Sequence, residues 1–144
     1  MITRKDMESE LKDKCIPLLR ASGFKGSFPN LYRDKDGFIS LINFQFFSSG
    51  GSFCVNLSYA DPNRKNIYFR PDTELKKLTV SQTTDWIRLG ATDGDRWFSY
   101  GITNYGEYRG IPITPSDIIF TINNLIKTQA EPWWLLKQEY YKSS

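Results

Sequence analysis

Two runs of strong strand formers, residues 38–47 and 52–59, flank the short segment Ser48-Ser49-Gly50-Gly51. Aromatic and β-branched side chains suit a pleated surface, and paired glycines supply the backbone freedom of a tight reversal, so the stretch predicts an antiparallel hairpin. A four-residue loop sets its register, with Phe46 opposite Phe53, Phe44 opposite Val55 and Ile42 opposite Leu57. Side chains alternate between the faces of a sheet, so this register makes one face wholly apolar. The other face carries Gln45 opposite Cys54 and Asn43 opposite Asn56. Asn43, Gln45 and Asn56 then form either a water-covered sheet face or an amide-lined groove able to take a ligand.

The rest of the chain supplies what that apolar face needs as cover. Thr3 is a helix cap with Asp6 placed for the return bond, and Met7, Leu11, Cys15, Leu18 and Leu19 recur at helical spacing, predicting an amphipathic helix over 4–22. Pro17 kinks its last turn and Gly23 ends it. Thr114-Pro115-Ser116-Asp117 marks a second helix start, followed by the stripe Ile118, Ile119, Ile122, Leu125 and Ile126. Pro132 restarts the chain, and Trp133, Trp134, Leu135 and Leu136 form an apolar anchor ahead of a polar tail from Lys137.

Further strands are expected over 28–33, 67–69, 86–89 and 96–103, the last two joined as a hairpin through Asp93-Gly94. Trp86 and Trp97 then fall in the core, and residues 72–82 form a loop with about one helical turn. The sum is a single α+β domain over 1–144, an antiparallel sheet of about five to six strands packed against N-terminal and C-terminal helices.

Composition narrows the function. The chain has no histidine, which removes the usual general base and metal ligand near neutral pH. It lacks a Gly-rich phosphate loop, a Cys-x-x-Cys pair and a hydrolase Ser elbow, so no catalytic residue, cofactor or metal site is assigned. Asp34 with Asp36 and Asp93 with Asp95 are close carboxylate pairs, each beside a glycine, where turn chemistry accounts for them. The Asp34-x-Asp36-Gly37 segment has the outline of a calcium loop, but Phe38 stands at the next ligand position. Cys15 and Cys54 read as reduced structural thiols. The polar N-terminus and the lack of a membrane-length apolar run point to the cytoplasm and to no membrane partner.

Nineteen Lys and Arg against sixteen Asp and Glu leave a net charge of +3 with no basic cluster, which argues against nucleic acid. Tyr32-Arg33, Tyr68-Phe69-Arg70 and Tyr108-Arg109 interleave aromatic and basic residues only loosely. The segment 103–110 stands apart, because Tyr105, Glu107, Tyr108 and Arg109 sit in a loop between a strand and a capped helix. Tyr and Arg dominate protein-binding hot spots, so this loop is a candidate partner surface; the alternative is that its rings fold back onto the sheet.

The segments Leu18-Leu19-x-x-x-Gly23-Phe24-Lys25, Tyr32-Arg33, Asn43-Phe44-Gln45, Phe53-x-Val55-Asn56-Leu57 and Arg88-Leu89-Gly90 followed by Gly94-Asp95-x-Trp97 resemble a bacterial domain-of-unknown-function family, number 4304. The resemblance covers most of the chain and departs at Trp97-Phe98, where the family usually has paired tryptophans. It implies a fold and carries over no site residue. The leading expectation is a non-enzymatic protein-binding domain, an immunity protein that neutralises a bacterial toxin by occlusion, by analogy of class and size. The alternative is a small-molecule or single-stranded nucleic-acid binding module using the Asn43, Gln45 and Asn56 face.

Overall fold

The computed structural model describes residues 1–92 and 95–142. Helix α1 (Arg4–Lys14) starts on Thr3, whose Oγ1 accepts from Asp6 N at 3.1 Å while Asp6 Oδ2 accepts from Thr3 N at 2.9 Å. The expected single helix over 4–22 is two, because Pro17 lacks the N–H that would continue the ladder. The chain breaks at Cys15 and restarts as α2 (Ile16–Ala21), with proline in its first turn and Gly23 beyond it at φ +99°.

Strands β1 (Lys25–Ser27) and β2 (Asn30–Lys35) replace the single strand expected over 28–33, with the turn at Phe28-Pro29 between them. Strands β3 (Phe38–Phe46) and β4 (Ser52–Ala60) pair in the register read from the sequence, Phe46 to Phe53, Gln45 to Cys54, Phe44 to Val55, Asn43 to Asn56 and Ile42 to Leu57. The order across the antiparallel sheet is β1-β2-β3-β4, with β5 (Trp86–Arg88) next to β4.

The edge beyond β4 differs from expectation. Strands β5 (Trp86–Arg88) and β6 (Phe98–Ser99) do not form a hairpin; both pair with β4, at Asn56–Ser58 and at Ser52–Phe53 respectively. The two lie in line along the same edge of β4. Each finds its backbone partners on the edge of β4 and not in the other, because an unpaired strand edge offers a ready row of donors and acceptors. Asp93 and Gly94 lie outside the described residues. The strand expected over 67–69 reduces to a single bridge, Ile67 to Thr83, and the backbone leaves the extended region at Arg70, φ +52°.

Helix α3 (Pro115–Leu125) is capped by Thr114, whose Oγ1 accepts from Asp117 N at 3.2 Å. It runs through a wider, π-helical segment (Ile126–Ala130) directly into α4 (Glu131–Lys142); Pro132, which has no N–H to give to the preceding turn, follows that widened segment, and the expected polar tail is helical to Lys142. Trp134 is the anchor, 2 % exposed, with its indole Nε1 donating to Ser58 O at 2.8 Å; Trp133 is half-buried, and Leu135 and Leu136 turn outward at helical spacing.

The two sheet faces have different covers. Phe44, Phe53, Val55 and Leu57 point into the main core beneath Met7, Leu11, Leu19, Ile118, Ile122 and Trp134. On the far face, residues 61–85 fold back over one half, seating Ile67, Leu78 and Val80 on Ile39, Leu41 and Ala60 as a second small core. The other half of that face has no such lid.

Candidate functional site

The uncovered half of the far face is a groove of about 530 Å3, within the roughly 300–1,000 Å3 usual for ligand sites. Its floor is Asn30, Asn43, Gln45 and Asn56, and its rim comes from Tyr68, Thr79, Val80, Ser81 and Thr83 of the covering segment and from Trp86 and Arg88 on β5. Strand alternation brings these together: Asn30 pairs with Asn43, Asn43 with Asn56, and Asn56 with Arg88.

The floor is one hydrogen-bonded chain. Arg88 Nε donates to Asn56 Oδ1 at 3.2 Å. Asn56 Nδ2 donates to Asn43 Oδ1 at 3.0 Å and to Gln45 Oε1 at 2.9 Å, and Asn43 Nδ2 donates to Asn30 Oδ1 at 2.8 Å. Beneath it lies the Cys54 thiol, 3.7 Å from Gln45 Oε1, with a pKa pushed up by burial to about 11. That keeps Cys54 protonated near neutral pH, and burial lifts Cys15 further, to about 12.

The groove continues past the end of β5. Asp95 takes Arg88 Nη1 on one oxygen and Trp97 Nε1 on the other, at 2.8 Å for the indole. The hydrogen bond from Trp97 is the largest influence on the Asp95 carboxyl, and together with the Arg88 charge it outweighs the burial penalty and holds the group below its usual range. Arg88 also lies over the rings of Trp86, at 5.6 Å, and Trp97, at 5.2 Å. Beyond Trp97 comes Arg109, which brings the 103–110 loop alongside.

Thr103, 6 % exposed, pins that loop by donating its N–H to Glu107 O at 2.7 Å, and Asn104 N donates to Ser49 O at 2.7 Å. Tyr105 and Tyr108 are 75 % and 55 % exposed, so their rings stand in solvent and do not fold back. Glu107 is exposed as well; Arg109 folds inward at the guanidinium. The loop residues Tyr105, Glu107, Tyr108 and Arg109 and the floor residues Asn43, Gln45 and Asn56 therefore occupy two ends of one surface.

Sequence reasoning missed Asn30, Tyr68, Trp86 and Arg88. Trp86, expected in the core, is 50 % exposed, and Trp97 is half-buried against Phe47 and Arg109. The signal was present: Ile87 and Leu89 are the apolar members of the alternation, so Trp86 and Arg88 belong to the opposite face. Nothing local distinguishes Asn30 or Tyr68. Of the carboxylate pairs, Asp34 Oδ1 accepts from Gly37 N at 2.9 Å as a turn residue, and Asp95 is held as above. Among the described residues no group of three or more Cys, Asp or Glu converges in a way that could hold a metal ion.

A separate polar cluster ties α4 to the sheet. Tyr59 Oη donates to Asp85 Oδ2 at 2.6 Å, and Lys137 Nζ lies 2.9 Å from the same oxygen. Burial raises the Asp85 pKa, but the Tyr59 and Lys137 hydrogen bonds outweigh it and hold the carboxyl below its ordinary value.

Fold and surface together define an α+β domain whose antiparallel sheet is helix-covered on one face and half-open on the other. The model of the family described as Domain of unknown function (DUF4304) matches residues 15–136, and the chain belongs to that family. No curated protein and no solved structure matches the chain. No helix among the described residues is long and apolar enough to cross a membrane.

Proposed function

We propose that this is a non-enzymatic protein-binding domain of the cytoplasm whose partner docks on the half-open sheet face and the 103–110 loop, and that its role is that of an immunity protein occluding a bacterial toxin. The observation that carries this reading is the continuity of the surface, from the amide floor through Arg88, Asp95 and Trp97 to Arg109, with Tyr105 and Tyr108 exposed beyond it. Aromatic and Arg side chains held on a scaffold are the residues that dominate protein-binding energetics, and Arg88 and Arg109 are pre-positioned by their stacking. The groups lining the groove suit recognition: amides and hydroxyls, an ion-paired guanidinium, and a thiol protonated near neutral pH. With a net charge of +3, the domain is a poor match for a strongly basic toxin.

Co-expression with the product of the adjacent gene tests the proposal. The expected result is a stoichiometric complex together with relief of that product's toxicity; no complex and no relief would reject it. A second reading, a module for a small molecule or single-stranded nucleic acid, is favoured by Trp86 and Tyr68 standing exposed beside the amide floor. Binding to oligonucleotides that weakens steeply with added salt would support its nucleic-acid branch.

A further inference from the structure

The amide floor has a direction, and one residue sets it. A guanidinium can only donate, so the bond from Arg88 Nε requires the oxygen of Asn56 to face it. The Asn56 amide nitrogen must then point away, where it meets Asn43 Oδ1 and Gln45 Oε1; Asn43 in turn offers its nitrogen to Asn30 Oδ1. Every amide in the chain thus accepts on the side toward Arg88 and donates on the side away from it. The two ends, Asn30 Nδ2 and Gln45 Nε2, are –NH2 groups that donate to no other group among the described residues. Asn30 is half-buried and Gln45 exposed, so both ends are accessible from the groove.

The groove also carries little net charge. Among the described residues Arg88 is the only charged one on its lining, and Asp95 pairs with it. An anion would find no free cation, and a phosphate backbone depends on several. The ligand that fits is neutral and presents acceptors to the floor, with apolar matter for the exposed rings of Trp86 and Tyr68.

We infer that the groove receives an uncharged peptide segment of the docking partner, its carbonyl oxygens accepting from Asn30 Nδ2 and Gln45 Nε2 and its apolar side chains lying against Trp86 and Tyr68. This rests on the reading of the face as a protein-docking surface. Arg88 acts as a positioning residue, because it dictates which way the floor amides point. The groove therefore selects carbonyl-rich, uncharged sequence, and the loop adds contacts at its far end.

Two near-isosteric substitutions isolate the outward donors. Asn30→Asp and Gln45→Glu keep the oxygen that accepts from Asn43 or Asn56 and exchange the outward –NH2 donor for a negatively charged carboxylate oxygen, so the floor bonds are kept while the outward group can only accept. The full chain is panned against a random dodecapeptide display library, and the enriched peptides are titrated while the side-chain amide signals of Asn30 and Gln45 are followed by NMR. The expected result is enrichment of uncharged peptides that shift both signals, with affinity falling about tenfold or more in each variant. Failure to enrich, enrichment of charged peptides, unmoved amide signals, or unchanged affinity in both variants would overturn the inference. So would oligo(dT) or maltoheptaose binding the same amides more tightly than any peptide. If the partner complex is lost in Tyr105→Ala/Tyr108→Ala but indifferent to Asn30→Asp and Gln45→Glu, the peptide inference fails and the docking surface stands. If neither set disturbs the complex, the docking surface itself fails.

Discussion

Arg109 is clamped between two rings, its guanidinium carbon 4.4 Å from the centroid of Phe47 and 4.4 Å from that of Trp97. Phe47 follows the end of β3 and Trp97 precedes β6, so one side chain fixes the 103–110 loop against both. Cation–π contacts at such sites contribute about 0.5–1 kcal/mol each, so we predict that Arg109→Ala lowers stability by about 1–2 kcal/mol in urea unfolding and speeds amide exchange across the loop. Unchanged exchange in the variant would show that the loop is held by its backbone bonds alone.

The tie between Trp134 and Ser58 is a second test of the architecture. Trp134→Phe keeps an aromatic ring in the core but leaves the buried Ser58 carbonyl without its indole donor. We expect a loss of about 1–3 kcal/mol by chemical denaturation, whereas Trp134→Ala adds a cavity and costs about 3–5 kcal/mol. Equal stabilities for Trp134→Phe and the parent chain would mean that the hydrogen bond contributes nothing net.

Not all of this architecture is legible in sequence. The β3–β4 register could be read because both strands alternate and the Gly50-Gly51 reversal fixes the offset. The helix starts at Thr3 and Thr114 could be read because capping is local chemistry. Residues 61–85 could not, because side chains meeting backbone hold them and leave no periodic pattern. Asp61 takes Asn63 N at 2.8 Å and Asn66 N at 3.0 Å, Asn66 Nδ2 reaches Tyr59 O at 2.6 Å, and Gln82 Nε2 reaches Phe69 O at 2.9 Å. The same limit hid half of the groove. Asn43, Gln45 and Asn56 follow from register, but Tyr68, Thr79, Val80, Ser81 and Thr83 reach it only through that segment.

Acid should weaken the α4 tie. Asp85 has a folded-state pKa below its ordinary value, so its contribution is complete above about pH 4 and is lost as pH falls through the lower folded value. We predict that the parent chain loses stability relative to Asp85→Asn on acidification from about pH 4 downward. Parallel pH profiles for the two chains would contradict the assignment.

Both thiols should be silent in the folded protein. Cys15 and Cys54 are fully buried, with pKa values pushed up to about 12 and about 11. Thiol titration with an aromatic disulfide reagent near neutral pH is expected to show no fast reaction until denaturant is added, when both residues react. Rapid labelling of Cys54 in the native state would mean that the groove floor opens.

The most direct test of the docking surface is a rescue assay in cells expressing the adjacent gene product as toxin. The parent chain, the loop variant Tyr105→Ala/Tyr108→Ala and a control, Phe120→Ser on the exposed flank of α3, are compared at matched expression. We expect protection by the parent and by Phe120→Ser and loss of protection by the loop variant; equal protection by all three, or protection lost only in Phe120→Ser, would contradict docking through the loop.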